Sequence, residues 1–274
     1  MIFASDLDRT LIYSVRFLEE YPYSGPLIKV DDYKISSYMS GYAVELFKVA
    51  LSYHKFQFVP VTSRSEAQYK RIRFPFEEPN LAITSCGSKV LYQGNEMPEW
   101  TYYVQKHFDP KELNVVLKKV KELPGLCREP TLVDGRVIFA KIDMKDRLAV
   151  HAVNGFEQNL SGYRVHLEKD KLYVIPSCFG KDAALFWLSD KLNENNIFTA
   201  GDSIQDLCMA SISSKFAMAG HHSIPNLQFN PHKGILTTSG VKASEEILLY
   251  AIQIFLKNIS VNSFENYITQ TLNI

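Results

Sequence analysis

Three features are scarce in this sequence, and each scarcity argues against a class of protein. The sequence has no excess of charge, because 30 Lys and Arg residues balance 30 Asp and Glu residues. It therefore gives no reason to expect nucleic acid or an anionic membrane as a partner. Long hydrophobic runs are missing too. Asp6 and Asp8 interrupt the first apolar run, which does not resemble a signal peptide, and the run Ile247–Leu256 contains Gln253 and is too short to span a bilayer.

Cysteine is the third scarce feature. The four cysteines stand far apart and form no CxxC pair: Cys86, Cys127, Cys178 and Cys208. This spacing predicts neither a zinc site nor a disulfide framework. Four reduced thiols in a cytoplasmic protein are the simpler interpretation.

The remaining composition is that of an ordinary globular protein, with 46% hydrophobic and 22% charged residues in 274. This length suits one large domain, or a core domain with a smaller one. At both ends of the chain, short apolar strands alternate with amphipathic helices, a pattern typical of a parallel α/β sheet. Strands are predicted at Met1–Ser5, Phe56–Thr62 and Leu81–Ser85 and in "NIFTAGDS", "SKFAMAG" and "GILTT", and helices at Tyr42–Tyr53, Asp182–Leu192 and Val241–Lys257.

The middle of the chain follows a different pattern. Asp109-Pro110 is typical of a helix start, and a second helix is predicted near Lys145–Leu160. Two hairpins are predicted as well, one in "TLVDGRVIF" through Asp134-Gly135 and one in "RVHLEKDKLYVI". A helix and a hairpin, repeated once, make an α+β unit with an antiparallel sheet.

These two patterns predict the domain organisation. We expect an α/β, Rossmann-like core with a parallel sheet over residues 1–88 and 177–274. An α+β cap domain, an antiparallel sheet with two helices, is expected as an insertion over residues 89–176. Inserted domains of this kind commonly close over an active site.

Four groups of polar residues follow predicted strands or begin a predicted helix. They are "DLDRT", "VTSRS", Lys181 and "GDSIQD". The carboxyl ends of parallel strands meet at one sheet edge, where ligands bind, so we expect Asp6, Asp8, Asp202 and Asp206 to converge there. Two carboxylates about 4 Å apart repel by roughly 4 kcal/mol at an effective dielectric constant near 20. Such a cluster implies a divalent cation, and its oxygen ligands favour Mg²⁺ over zinc.

In their order along the chain, these motifs resemble those of the haloacid dehalogenase superfamily of phosphatases. The inserted unit resembles the type-II cap of the Cof-like and sucrose-phosphate-phosphatase-like members. The resemblance implies a Mg²⁺-dependent phosphomonoester hydrolase in which Asp6 attacks phosphorus and forms an aspartyl-phosphate. Asp8 would protonate the leaving oxygen and then accept a proton from water. Thr62, Ser63 and Lys181 would bind the phosphoryl group.

The resemblance also implies the ligands of the metal ion. Asp6 and Asp202 would bind Mg²⁺ through their side chains, and Asp8 would bind through its backbone carbonyl oxygen. Asp206 would bind either directly or through water. The substrate implied is a small phosphorylated metabolite, with a sugar phosphate as the default.

The sequence departs from the family pattern in several places. Arg9 stands where relatives often have Gly, Gln205 replaces the usual Asn, and Ser63 replaces the Gly of the common Thr-Gly-Arg. We predict Arg9, Arg64 and Gln205 as contacts to the substrate or the cap. The connection at about Ser14–Lys34 is longer than the family needs.

Polar residues of the cap offer further substrate contacts, although each is also typical of a solvated surface. They are Arg128, Lys141, Arg164 and His166. Two alternatives stay open for the function. A phosphomutase would return the phosphoryl group to the sugar, and a non-catalytic module would only bind a phosphorylated ligand or a metal. The sequence does not determine the oligomeric state.

Overall fold

The computed structural model describes residues 1–224, 227, 230 and 232–258, so the predicted core residues 259–274 lie outside the described part. Its strands are β1 (Ile2–Ser5), β2 (Tyr13–Ser14), β3 (Leu27–Asp31), β4 (Ser37–Ser40), β5 (Gln57–Pro60), β6 (Leu81–Thr84), β7 (Lys89–Tyr92), β8 (Asn95–Glu96), β9 (Thr131–Val133), β10 (Val137–Lys141), β11 (Tyr163–Glu168), β12 (Lys171–Pro176), β13 (Ile197–Gly201), β14 (Lys215–Met218) and β15 (Gly234–Leu236). Its helices are α1 (Val15–Glu20), α2 (Gly41–Leu51), α3 (Glu66–Tyr69), α4 (Pro98–His107), α5 (Pro110–Lys121), α6 (Arg147–Gln158), α7 (Lys181–Lys191), α8 (Ile204–Ala210) and α9 (Lys242–Asn258). Among the described residues, no helix combines the length and apolar character needed to cross a bilayer.

A parallel five-stranded sheet, in the order β15-β14-β13-β1-β5, forms the centre of the core. Successive residues of β1 point to opposite faces of this sheet. Phe3 therefore packs with Phe47 of α2 on one face, while Ile2 packs with Trp100 of α4 and Leu185 of α7 on the other. Because helices cover both faces, the strands are apolar on both sides, which explains their continuous hydrophobic runs.

The predicted third strand belongs only partly to this sheet. β6 touches the sheet edge through a single parallel bridge and forms a separate antiparallel sheet with β7 and β8. The chain reverses after β6 because Ser85 and Cys86 both adopt left-handed conformations, with φ of 52° and 57°. Gly87 follows with φ of 92°, and a Cβ atom there would lie 2.1 Å from the backbone of Gly180. A glycine is therefore required for this loop to reach the start of α7.

The cap contains an antiparallel sheet in the order β11-β12-β10-β9, and α5 and α6 cover one of its faces. The predicted hairpin turn is confirmed, since Asp134 and Gly135 have φ of 48° and 71°, as a type I′ turn requires. Tyr173 and Ile175, on the opposite face, pack against the core. The prediction of an α/β core with an α+β cap is confirmed, and the boundaries at residues 89 and 176 stay predictions.

The long connection after the first motif is a folded unit. It contains α1 and most of a small sheet in the order β2-β4-β3. The hydroxyl of Tyr23 donates a 2.5 Å hydrogen bond to Glu245 of α9, and the ring of Tyr21 stacks on Phe17 at a centroid distance of 4.8 Å. The segment is therefore packed on the core beside the first motif.

Candidate active site

The end of β1 delivers Asp6 to the carboxyl edge of the parallel sheet. Asp6 is only 5% exposed, and its Oδ1 accepts a 2.7 Å hydrogen bond from Nζ of Lys181, the first residue of α7. Lys181 is also buried and donates a 2.6 Å hydrogen bond to Oδ1 of Asp206. Burial alone would lower the pKa of Lys181, but the two carboxylates more than offset it and hold the pKa well above its ordinary value. The lysine is therefore charged and bridges two acids.

The loop after β13 places two more aspartates beside this bridge. Oδ2 of Asp206 accepts hydrogen bonds from the backbone N–H groups of Asp202 at 3.2 Å and Ser203 at 3.0 Å, and from the Ser203 hydroxyl at 2.7 Å. Gly201 is required here, because a Cβ atom on it would lie 2.2 Å from Cβ of Asp206. This reciprocal capping at the start of α8 fixes the orientation of the Asp206 carboxylate.

Three of the acids form one compact cluster. A carboxylate oxygen from each of Asp6, Asp202 and Asp206 lies within 4.8 Å of the others, and all three residues are buried. Burial, together with the charges of Asp206 and Asp202, raises the pKa of Asp6 well above its ordinary value despite the attraction of Lys181. Burial and the charge of Asp206 raise the pKa of Asp202 to about 7. Burial and mutual repulsion therefore disfavour the charged forms of Asp6 and Asp202.

The negative charge of these acids is nevertheless partly compensated. Besides the lysine bridge, Arg9 donates from Nε to Oδ2 of Asp202 at 2.8 Å, and Arg64 pairs with Asp8 at 2.7 Å. These two pairings reduce the repulsion expected from the carboxylates alone, and the predicted cluster of buried acids is present.

The second motif lies at the same edge. Thr62 is fully buried, its Oγ1 accepts a 3.1 Å hydrogen bond from the backbone N–H of Arg64, and its backbone oxygen accepts one from the N–H of Cys86. The Ser63 side chain lies close to the hydroxyl of Tyr173 in the cap. The structure thus places Thr62 and Ser63 beside the first motif, and their phosphate-binding roles stay predictions.

Arg64 links the first motif to the long connection. Its Nε and Nη2 donate to the two carboxylate oxygens of Asp8 at 2.8 and 2.7 Å, and its Nη1 donates to Oδ2 of Asp31 at 3.0 Å. Burial would raise the pKa of Asp8, but Arg64 more than offsets it and lowers the pKa. Sequence reasoning missed Asp31, because no local pattern marks a partner 33 residues from Arg64.

We expect Asp31→Asn to lower the free energy of unfolding by about 1–3 kcal/mol, because the buried Arg64 guanidinium would lose one of its two carboxylate partners and keep only Asp8. Its neighbour provides the control: Asp32 is exposed, and Asp32→Asn should leave stability nearly unchanged. Urea unfolding at pH 7, followed by circular dichroism, measures both variants. Equal effects of the two substitutions would contradict the structural importance of Asp31.

Two of the three residues predicted to contact the substrate or the cap are paired with acids of the site. Arg9 contacts Asp202, and Arg64 contacts Asp8. Gln205 is buried, and its Oε1 has no hydrogen-bond partner among the residues that the structure describes. Contacts of Arg9, Arg64 and Gln205 with a substrate stay predictions.

One face of the cap sheet is directed toward the acids. Three of the four predicted cap residues have partners in the protein: Arg128 lies over the ring of Phe139, Lys141 pairs with Asp170, and Arg164 pairs with Asp182. Burial lowers the pKa of His166 to about 4, while burial and the charge of Asp206 raise the pKa of Glu168. Sequence reasoning missed Glu168, although the two-residue alternation along β11 places it on the same face as His166.

Comparison with known proteins identifies the family. The family model for sucrose-6F-phosphate phosphohydrolase matches residues 1–233. The chain belongs to this family. The match confirms the predicted resemblance to haloacid dehalogenase-type phosphatases of the sucrose-phosphatase-like group.

Solved structures share the fold of this sucrose-6F-phosphate phosphohydrolase family member. The sucrose-phosphatase of Synechocystis sp. PCC6803, in complex with sucrose and phosphate, has a TM-score of 0.64 and 16% identity over 91% of this chain and 97% of that chain. A phosphatase of the haloalkanoate superfamily from Bacteroides thetaiotaomicron has a TM-score of 0.56 and 12% identity over 92% of this chain and 95% of that chain.

A similar sequence is also known from a plant. The Arabidopsis thaliana protein named "Probable sucrose-phosphatase 3a" is 27% identical over 178 residues, 60% of this chain. This chain spans 42% of that protein's length.

The acids of this family member fit a hard divalent cation. Asp6, Asp202 and Asp206 offer buried carboxylate oxygens that approach one another closely, and no sulfur or imidazole donor of the described residues joins the cluster. Oxygen ligands with one or two carboxylates are typical of Mg²⁺ sites, whereas zinc favours nitrogen and sulfur. The donor set therefore suits Mg²⁺.

Proposed function

We propose that this protein is a Mg²⁺-dependent phosphomonoester hydrolase that acts through an aspartyl-phosphate intermediate on a small phosphorylated metabolite, such as a sugar phosphate. One observation carries the proposal: a buried Asp6 carboxylate, bridged by Lys181 to Asp206, lies at the ligand-binding edge of the sheet, toward which the cap sheet is directed. Sucrose 6F-phosphate is the first candidate substrate, because the family's description names it.

Each reacting group has a role in a two-step displacement. A carboxylate oxygen of Asp6 attacks phosphorus, the bond from phosphorus to the ester oxygen breaks, and the Asp8 carboxyl group protonates the departing oxygen. Water then attacks the phosphorus of the aspartyl-phosphate, Asp8 accepts its proton, and phosphate leaves as the Asp6 carboxylate is restored. Proton transfer by a positioned group typically contributes about 10²–10⁴-fold to the rate.

Other residues of the site would bind the phosphoryl group or position Asp8. Lys181, Thr62 and Ser63 would bind its oxygens and balance the charge that develops during transfer. The two hydrogen bonds from Arg64 favour the charged form of Asp8, the form that accepts a proton from water. Before Asp8 can carry a proton to the leaving group, at least one of these hydrogen bonds must break.

The Mg²⁺ ion would be held by Asp6, Asp202 and Asp206, with the backbone carbonyl oxygen of Asp8 as a further ligand. When bound, the ion would neutralise negative charge on the phosphoryl group. Lys181 and Arg9 together carry one positive charge fewer than the three carboxylates of the cluster, so a phosphate dianion would otherwise meet net negative charge.

We also propose a cytoplasmic location and a small-molecule partner, without a nucleic-acid or membrane partner. Four unpaired cysteines are typical of a reducing compartment. The balanced charge of the chain supports the absence of a polyanionic partner.

The test is a phosphate-release assay with a panel of phosphomonoesters that includes sucrose 6F-phosphate and hexose phosphates. We expect release that requires Mg²⁺, is abolished by EDTA and returns when Mg²⁺ is added back. Bisphosphate-dependent isomerisation with little free phosphate would identify a phosphomutase instead. Failure to release phosphate from any ester, with binding of ligand or metal retained, would identify a non-catalytic module.

A further inference from the structure

Arg9 adopts a backbone conformation that disfavours a long side chain. Its φ is 68°, in the left-handed region that glycine enters freely and that other residues rarely occupy. A glycine at this position would meet no such strain. An arginine that persists in this conformation needs contacts that compensate for the strain, and its side chain has three.

The three contacts surround the guanidinium group. Nε donates to Oδ2 of Asp202 at 2.8 Å, and Nη2 donates to the backbone oxygen of His221 at 3.4 Å. The guanidinium carbon lies 5.1 Å from the ring centroid of Phe17, within the range of a cation–π interaction. The Arg9 side chain is 20% exposed, so most of its surface is in contact with the protein.

Two other segments of the chain hold Arg9 in place. Nε2 of His221 donates to the backbone oxygen of Arg9 at 2.6 Å, and Nδ1 of His221 accepts from the N–H of Gly240 at 3.1 Å. Both ring nitrogens are therefore used, with the imidazole neutral. Phe17 belongs to α1 in the long connection and packs edge-on against His221 at a centroid distance of 4.8 Å. Contacts from His221 and Phe17 thus hold both the backbone and the guanidinium group of Arg9 in place.

The partner of Arg9 is the acid of the metal-fitting cluster that Lys181 does not contact. Lys181 bridges Asp6 and Asp206, whereas the Asp202 carboxylate pairs with Arg9. A bound divalent cation and the Arg9 guanidinium would therefore draw on the same carboxylate. Two cations that share one buried anion repel each other in a medium of low dielectric constant.

We propose that Arg9 is a positioning residue that sets the affinity for the divalent cation: its fixed positive charge on Asp202 weakens cation binding at Asp6, Asp202 and Asp206. This inference rests on the metal requirement of the proposed function. In this proposal, Phe17 of α1 and His221 contribute by holding the guanidinium group against Asp202. Substitution of a hydrogen-bonding partner of a metal ligand typically lowers metal affinity by about 10–100-fold. Here removal of a positive charge beside the ligand should raise it instead, by a similar factor.

The experiment measures metal binding directly, by titrating Mn²⁺ into the full chain with electron paramagnetic resonance and Mg²⁺ with calorimetry. Arg9→Gln removes the charge while keeping a long side chain at the strained position, and Arg9→Lys keeps the charge and is the matched control. We expect Arg9→Gln to bind both ions about tenfold more tightly than the wild type, and Arg9→Lys to stay close to the wild type. Should Arg9→Gln not fold, Arg9→Asn removes the charge with a residue that tolerates positive φ.

The outcomes separate this inference from the proposed function. If the wild type binds neither Mn²⁺ nor Mg²⁺, the metal requirement of the proposed function fails. If the wild type binds them and Arg9→Gln binds equally or more weakly, only the role of Arg9 is overturned. An unchanged metal affinity with a raised KM would assign Arg9 to the substrate instead.

Discussion

Replacing Asp6 by asparagine is expected to lower phosphatase turnover by about 10⁴-fold or more, because the amide cannot attack phosphorus. The fold should survive, since the amide oxygen can still accept the hydrogen bond from Lys181 and the substitution removes a charge beside Asp202 and Asp206. Phosphate release at saturating Mg²⁺ measures the loss. The thermal unfolding midpoint, expected within a few degrees of the wild type, shows that the variant is folded.

The control for this prediction is an exposed aspartate on α7. Asp190→Asn makes the same chemical change outside the cluster and should leave turnover unchanged. Turnover by Asp6→Asn at a substantial fraction of the wild-type rate would refute Asp6 as the nucleophile. A low rate in both variants would point to a general effect on the protein.

Lys181→Met should affect both activity and stability. The substitution leaves the buried carboxylates of Asp6 and Asp206 without their shared cation, and removing one partner of a buried ion pair typically costs about 3–5 kcal/mol. Loss of a group that stabilises transition-state charge typically lowers the rate by about 10²–10³-fold. Denaturant unfolding at pH 7 and phosphate release measure the two effects.

The same helix supplies a matched control. Lys191 lies at the other end of α7, is exposed and pairs with the exposed Glu99. Lys191→Met should change stability by less than about 1 kcal/mol and leave turnover intact. Similar losses of stability in the two methionine variants would mean that the buried bridge is not what stabilises this part of the core.

Much of the fold could be predicted because its signals are local. The apolar run that ends at Asp6 predicts a strand followed by a ligand-binding edge, and β1 ends at Ser5. Ser65 and Gln68 form the capping box of α3, a local signal because its two hydrogen bonds join residues only three apart. The α4 helix and the small sheet after the first motif carry weaker periodicity, and packing against the core determines them.

In the candidate site, too, some features could be predicted from the sequence and others could not. The placement of Asp6, Asp202 and Lys181 at one edge follows from the sequence, because parallel strands and the helices after them converge there. The Arg64 link to Asp31 and the Arg9 link to Asp202 span 33 and 193 residues. Neither spacing carries a periodic signal, so neither pair could be predicted from the sequence.

The sequence by itself determined the α/β core, the inserted cap and the acids at the sheet edge, since periodicity, capping and strand ends depend on neighbours in the chain. Only the tertiary structure decided which cation meets which carboxylate. That pairing depends on the left-handed turn at Arg9 and on the paths of α1 and β3, which bring Phe17 and Asp31 toward the first motif. Side-chain pairing across long loops is a property of the packed chain, because a contact forms only where the rest of the fold has already fixed both backbones.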